Sequence, residues 1–228
     1  MVVTRRRDIL AVGLLAPLWS RPGQTRPGRL RAAASPSPVS ELPETVRVFK
    51  TSYREEAAGR MRPALDALSA LPERDRQSYL ALLRRAWLLY RDGRHPESVG
   101  AYAAALAKEP ASLEARLGQL LPRMALKQWP EVEAGAKAVL ELDPASYLGG
   151  LRLAWAVFNQ GRFAEAERLY RRTLARYPSD ADLRAGVAWS LLRAAKRTEA
   201  TRMFVEALAA APDSPAILDG LRISQGPG

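Results

Sequence analysis

Apolar residues return along this chain on a long beat. Leu106, Leu140, Leu174 and Leu208 stand 34 residues apart, and so do Tyr102, Ala136, Tyr170 and Phe204. Ser98, Val132, Ala166 and Ala200 keep the same step. Within each period the apolar residues recur at helical spacing, as in GRFAEAERLYRRTLARYP from Gly161 to Pro178. No sustained alternation of Val, Ile and Thr, the mark of a half-buried strand, is present. The punctuation is periodic too. Gly93, Lys127, Gly161 and Ala195 share the beat, with Gly59 one step earlier, and Pro110, Pro144, Pro178 and Pro212 close successive units. A fixed period of this length marks an array of like units, none of which can bury its apolar face alone.

Each unit reads as two helices. Gly93 and Gly161 suit the left-handed conformation that ends the first helix. Pro96 and Pro130 fall near the start of the second, where a missing N–H costs little. Ala166 and Ala200 are small enough for two helices to approach closely, and Tyr170 and Phe204 fill the space between units. The closing proline stops the second helix.

These positions resemble the tetratricopeptide repeat family over residues 45–214. The expected repeats are 79–112, 113–146, 147–180 and 181–214, with a degenerate one at 45–78. NQGRFAEAERLYRRTLARYP matches the family's Gly, aromatic, Glu-Ala, Tyr, Leu and Pro positions, and DGRHPESVGAYAAALAKEP and AKRTEATRMFVEALAAAP follow it closely. The family's early Trp position departs, holding Leu82, Arg116, Gly150 and Arg184. The repeat at 113–146 is the poorest, with Pro122 inside its first helix and an apolar face through Leu113, Leu117, Leu120, Leu121 and Met124, so a rotated or kinked helix is expected there. The resemblance implies an all-α fold, a right-handed α-solenoid of stacked helix pairs with the first helix of each pair on the concave face. PAILDGLRISQGPG, in 215–228, reads as a short capping helix and a loose tail.

It also implies where a partner would sit. Carried over position by position, the groove would be lined by Leu83, Arg84, Trp87, Tyr90 and Arg91, then by Leu151, Arg152, Trp155, Phe158 and Asn159. The last repeat would add Ala185, Gly186, Trp189, Leu192 and Arg193, and the second Leu117, Leu121 and Met124. Trp87, Trp155 and Trp189 share one repeat position. They either line the groove as aromatic anchors flanked by Arg or fill the layer between successive first helices. Where chaperone-tail-binding members of the family carry Asn, this chain carries Trp. The implied ligand is therefore an apolar segment or amphipathic helix of another protein.

Charge alters the picture at the N-terminus. The net charge is +11, but residues 1–34 hold seven Arg and one Asp, so the remainder carries only +5. MVVTRRRDILAVGLLAPLWS combines basic residues with the apolar run Ile9–Trp19, which is too short to span a bilayer. Arg6 and Arg7 in RRDIL resemble a twin-arginine export signal, with a small-residue cleavage site after Ala34. The stretch between departs from that pattern in holding Arg21, Arg26, Arg29 and Arg31. Residues 1–34 are thus read as an export signal and the Pro/Ser-rich 35–44 as a linker. The expected location is the periplasm or envelope, or the cytoplasm if the segment is not a signal. Membrane contact is expected only through that segment, left uncleaved.

Candidate chemistry is sparse. The chain has no Cys, which excludes disulfides, thiolate nucleophiles and zinc–sulfur sites. Its one His, His95, falls at a helix–helix turn, and no His, Asp and Glu set has metal spacing. Glu55-Glu56, Glu131 with Glu133, and Glu165 with Glu167 lie near turns and helix starts, where acids favour the dipole. Gly149-Gly150 opens a helix and is not a phosphate loop. No enzyme activity and no cofactor are expected. A nucleic-acid-binding helical array is the alternative function, disfavoured by the modest charge of 35–228.

Overall fold

The computed structural model describes residues 42–226, and within them every regular element is helical. The expectations for residues 1–34 and for most of the linker lie outside the described residues. Helix α1 (Glu44–Ala57) pairs with α2 (Met61–Ala67), a 3-10 turn at Leu68–Ala70 follows, and α3 (Glu73–Arg76) is a single turn. Four regular pairs come next: α4 (Tyr79–Arg91) with α5 (His95–Lys108), α6 (Leu113–Ala125) with α7 (Trp129–Leu142), α8 (Tyr147–Asn159) with α9 (Phe163–Leu174), and α10 (Ala181–Arg193) with α11 (Arg197–Ala210). Helix α12 (Pro215–Gln225) ends the stack. The fold is an α-solenoid of helix pairs.

The 34-residue beat has a local cause at both ends of the first helix in each of the four regular pairs. At the start, Ser78, Ser112, Ser146 and Asp180 accept the N–H of Ala81, Ala115, Gly149 and Leu183 at 3.3, 3.0, 3.2 and 2.7 Å. This satisfies an N–H with no partner inside the helix. At the end, Gly59, Gly93, Lys127, Gly161 and Ala195 all have positive φ. The next residue then donates back to a carbonyl five residues earlier, as in Arg94 N–H to Leu89 O at 2.9 Å and Lys196 N–H to Leu191 O at 2.9 Å. That reversal turns the chain into the second helix.

Stacking buries what a pair leaves open. Ser98, Val132, Ala166 and Ala200 are fully buried, and the Ser98 hydroxyl donates to Ala86 O at 2.7 Å. Between pairs, a second-helix ring lies on bare backbone of the following first helix. A Cβ on Gly118, Gly186 or Gly220 would stand 2.3, 2.5 or 2.3 Å from Tyr102, Tyr170 or Phe204. At the junction between these, Ala136 takes the ring's place and Arg152 the glycine's. Each first helix packs on the next, α4 on α6, α6 on α8, α8 on α10 and α10 on α12, while no two second helices pack comparably. The first helices therefore occupy the inside of the stack. Helix α6 runs unbroken through Pro122, which falls in its last turn, so only the carbonyl of Gly118 loses its N–H partner there.

Candidate partner-binding face

The face made by α4, α6, α8 and α10 carries the residues at the expected groove positions. Leu117, Leu121, Met124, Leu151, Trp155, Phe158 and Leu192 are half-buried. They form an apolar ladder from α6 to α10, walled by their helices and still open on one side. Leu83, Ala185 and Gly186 are buried, and Arg91, Asn159 and Arg193 are exposed. The three tryptophans differ in depth. Trp87 and Trp155 are half-buried, whereas Trp189 is 5 % exposed and stands edge-on to Phe204 with ring centroids 5.1 Å apart. The Trp189 indole N–H has no hydrogen-bond partner.

The N-terminal end of the face is closed by an ion cluster. Arg84, 5 % exposed, donates to Glu56 Oε2 and, at 3.2 Å, to Ser52 Oγ. Its guanidinium lies 3.8 Å from the centre of the Tyr53 ring. Trp87 Nε1 donates to Glu56 Oε1 at 2.6 Å, and Arg91 stands 3.7 Å from the same oxygen. Arg84, Trp87 and Arg91 are thus drawn back onto α1. The Tyr90 ring meets those of Trp87 and His95 at tilted angles, with centroids 5.8 and 5.6 Å away. Burial raises its phenol above the ordinary range, against the opposing pull of Arg152 and Arg91.

The middle of the face is different. Arg152 Nη1 donates to Leu117 O at 2.6 Å, and no carboxylate pairs with it among the described residues. Burial lowers its guanidinium to about 10, countered by Tyr90 and Tyr102, so it stays cationic near neutral pH. Asn159 donates to Trp155 O at 2.8 Å, and Arg193 lies 4.8 Å from the centre of the Phe163 ring.

A rank of second-helix residues borders this face, and the sequence alone did not assign them to it. His95, Trp129 and Phe163 each open a second helix, 34 residues apart. They meet Tyr90, Trp155 and Phe158 at 5.6, 5.9 and 5.3 Å. Their shared place in the period was the available signal.

The close carboxylates act as ties. Glu55 pairs with Arg60 at 2.6 Å, Glu133 with Lys137 and Arg162 at 2.6 and 2.7 Å, Glu165 with Arg162 at 2.6 Å, and Glu167 with Arg171 at 2.9 Å. No group of three His, Asp or Glu among the described residues could hold a metal ion. No described helix is long and apolar enough to cross a membrane.

Comparison with known proteins agrees with this architecture. Family models described as tetratricopeptide repeat match residues 52–119 and 123–190, together more than half of the chain. No curated protein sequence matches it. Among solved structures, MamA 41-end from Desulfovibrio magneticus RS-1 is similar with a TM-score of 0.70 and 14 % identity, covering 77 % of this chain and 99 % of that one. MamA AMB-1 gives 0.64 and 19 %, covering 73 % and 99 %. YrrB, described as a TPR protein with an unusual peptide-binding site, gives 0.65 and 15 %, covering 78 % and 92 %. At these identities the likeness is one of fold.

Proposed function

We propose that this chain, which belongs to the tetratricopeptide repeat family, is an exported scaffold that holds a segment of another protein on its first-helix face. Proteins of this family typically serve as interaction scaffolds, and the face supplies what a peptide or amphipathic helix needs. The observation that carries the reading is the half-buried ladder Leu117, Leu121, Leu151, Trp155, Phe158 and Leu192. Each side chain is already half-buried, so covering its open side with a partner's apolar side chain gains about 25 cal/mol per Å² of apolar surface removed from water. The peptide-binding site named for YrrB supports the reading by analogy of fold alone. Nucleic acid fits less well. Of the described residues, Arg152 is the one cation among the apolar residues at the centre of the face, and Arg84 and Arg91 are already engaged with Glu56.

The test is capture from an envelope fraction by the full chain and by a variant carrying Leu121→Ala and Trp155→Ala. Loss of a captured protein by a variant of unchanged helicity supports the reading. Retention overturns it. Trp189→Ala is the control for fold, because truncating a fully packed Trp costs about 3–5 kcal/mol. Export rests on the resemblance of Arg6-Arg7 and the apolar run Ile9–Trp19 to a twin-arginine signal. A reporter fused after residue 41 should reach the periplasm and stay in the cytoplasm once Arg6 and Arg7 are both Lys. Export that ignores the substitution overturns the assignment.

A further inference from the structure

The junction between α7 and α8 breaks the rule that builds the other regular junctions. Where Tyr102, Tyr170 and Phe204 lie on glycine backbone, this junction has Ala136 and Arg152. Losing a ring and gaining a guanidinium is a costly exchange, because the cation is half-buried and has no carboxylate partner among the described residues. The other inward arginine at this repeat position, Arg84, is paired with Glu56. Arg152 has a single protein acceptor, the carbonyl of Leu117, for its five donors. Its titratable neighbours are the phenols of Tyr90 and Tyr102. Its hydrogen bond to Leu117 O carries the side chain from α8 onto the backbone of α6. Leu117, and Trp155 one turn further along α8, are both members of the apolar ladder.

We propose that Arg152 is a carboxylate receptor at the centre of the groove, and that the preferred partner segment is an apolar stretch carrying one Asp or Glu side chain. The proposal rests on the groove reading above and deepens it. The apolar side chains of the segment lie on Leu121, Trp155 and Phe158 while its carboxylate accepts from the guanidinium fork. The fork matches a carboxylate in two parallel hydrogen bonds, which a Lys at the same place could not provide. An acidic side chain with no apolar neighbours would be held only by an exposed-type ion pair. An apolar segment with no acid would leave the cation covered and unpaired. Each alone is weaker than the combination.

The experiment is selection from a random dodecapeptide library on the full chain, followed by fluorescence anisotropy with the best selected peptide. Selected peptides should be enriched in Asp or Glu next to large apolar residues. Replacing that acid by its amide, or making R152Q, should each weaken binding by about 10- to 100-fold. Combining the two should cost little more than either alone. R152K, which keeps the charge and loses the fork, should lie between. The thermal midpoint of R152Q should be unchanged or higher, since a desolvated cation is removed. If R152Q fails to fold, R152K against the acid and amide peptides reads the same coupling. Peptides that need Trp155 but bind R152Q unchanged overturn the carboxylate receptor and leave the groove standing. Peptides indifferent to Trp155 and Arg152, or no selected peptide, overturn both. A labelled single-stranded RNA that competes with the peptide and requires Arg152 overturns the carboxylate in favour of phosphate.

Discussion

At the scale of the residue, the turns between paired helices separate conformation from identity. Five positions 34 residues apart adopt positive φ, and two of them are not glycine: Lys127 at 57° and Ala195 at 62°. A side chain there costs about 1–2 kcal/mol. The equivalent Gly59, Gly93 and Gly161 have nothing within 4 Å of a built Cβ, so the cost is backbone strain and not crowding. Ala195→Gly should therefore stabilise the chain by about 0.5–1 kcal/mol, after allowing for the added freedom of the unfolded chain. Gly161→Ala should cost a similar amount. Urea denaturation of the two variants checks both, with opposite shifts of the midpoint.

Residue identity also limits what could be read before the structure. Trp87, Trp155 and Trp189 are indistinguishable by repeat position, because the period says which side of a helix a residue takes and not how deep it lies. Depth comes from neighbours elsewhere in the chain. Glu56 draws Trp87 onto α1, Trp129 leans on Trp155, and Phe204 meets Trp189. The caps Ser78, Ser112, Ser146 and Asp180 keep the same beat as the prolines and were legible in principle. So was the exchange of Gly for Arg152, once Tyr102, Ala136, Tyr170 and Phe204 are set beside Gly118, Arg152, Gly186 and Gly220.

At the scale of the element, polar ties link each pair to the next. Glu133 on α7 accepts from Lys137, from Gln160 at 2.7 Å, and from Arg162 at the start of α9. The Lys137 hydrogen bond leads in lowering its carboxyl from 4.5 to about 2, with Gln160 and Arg162 adding to it. A folded-state value below the unfolded one means stability that is present above about pH 4.5 and lost as the pH falls toward 2. Glu133→Gln should cost about 1–3 kcal/mol at pH 7, the lower end reflecting the partial exposure of Lys137 and Arg162. The gap between variant and parent should close as the pH approaches 2, which thermal melts across that range would show. One period later, Glu167 meets Lys196 at 3.8 Å with the lysine half open, so that tie is expected to contribute less. Helices and their order were plain in the sequence because a repeated pattern reinforces its own signal. The ties were not, since pairing across 29 residues depends on how tightly the stack is wound.

At the scale of the whole molecule, contacts in the described array stay near in sequence. The longest side-chain hydrogen bonds span 35 residues, from Tyr79 to Glu114 and from Arg152 to Leu117. Among the described residues no strand pairing or distant closure joins one end to the other. Loop-closure entropy is therefore small at every step, and folding can spread from any pair to its neighbour. Refolding from urea is expected in milliseconds, as for other helical chains rich in local contacts, with stopped-flow fluorescence of the tryptophans as the readout. A refolding phase of many seconds in all molecules would contradict it. During synthesis, each pair needs only the next 34 or so residues to leave the ribosome before it can dock. The chain can thus become compact while it is still being made, and exposes at any moment little more than one unfinished pair.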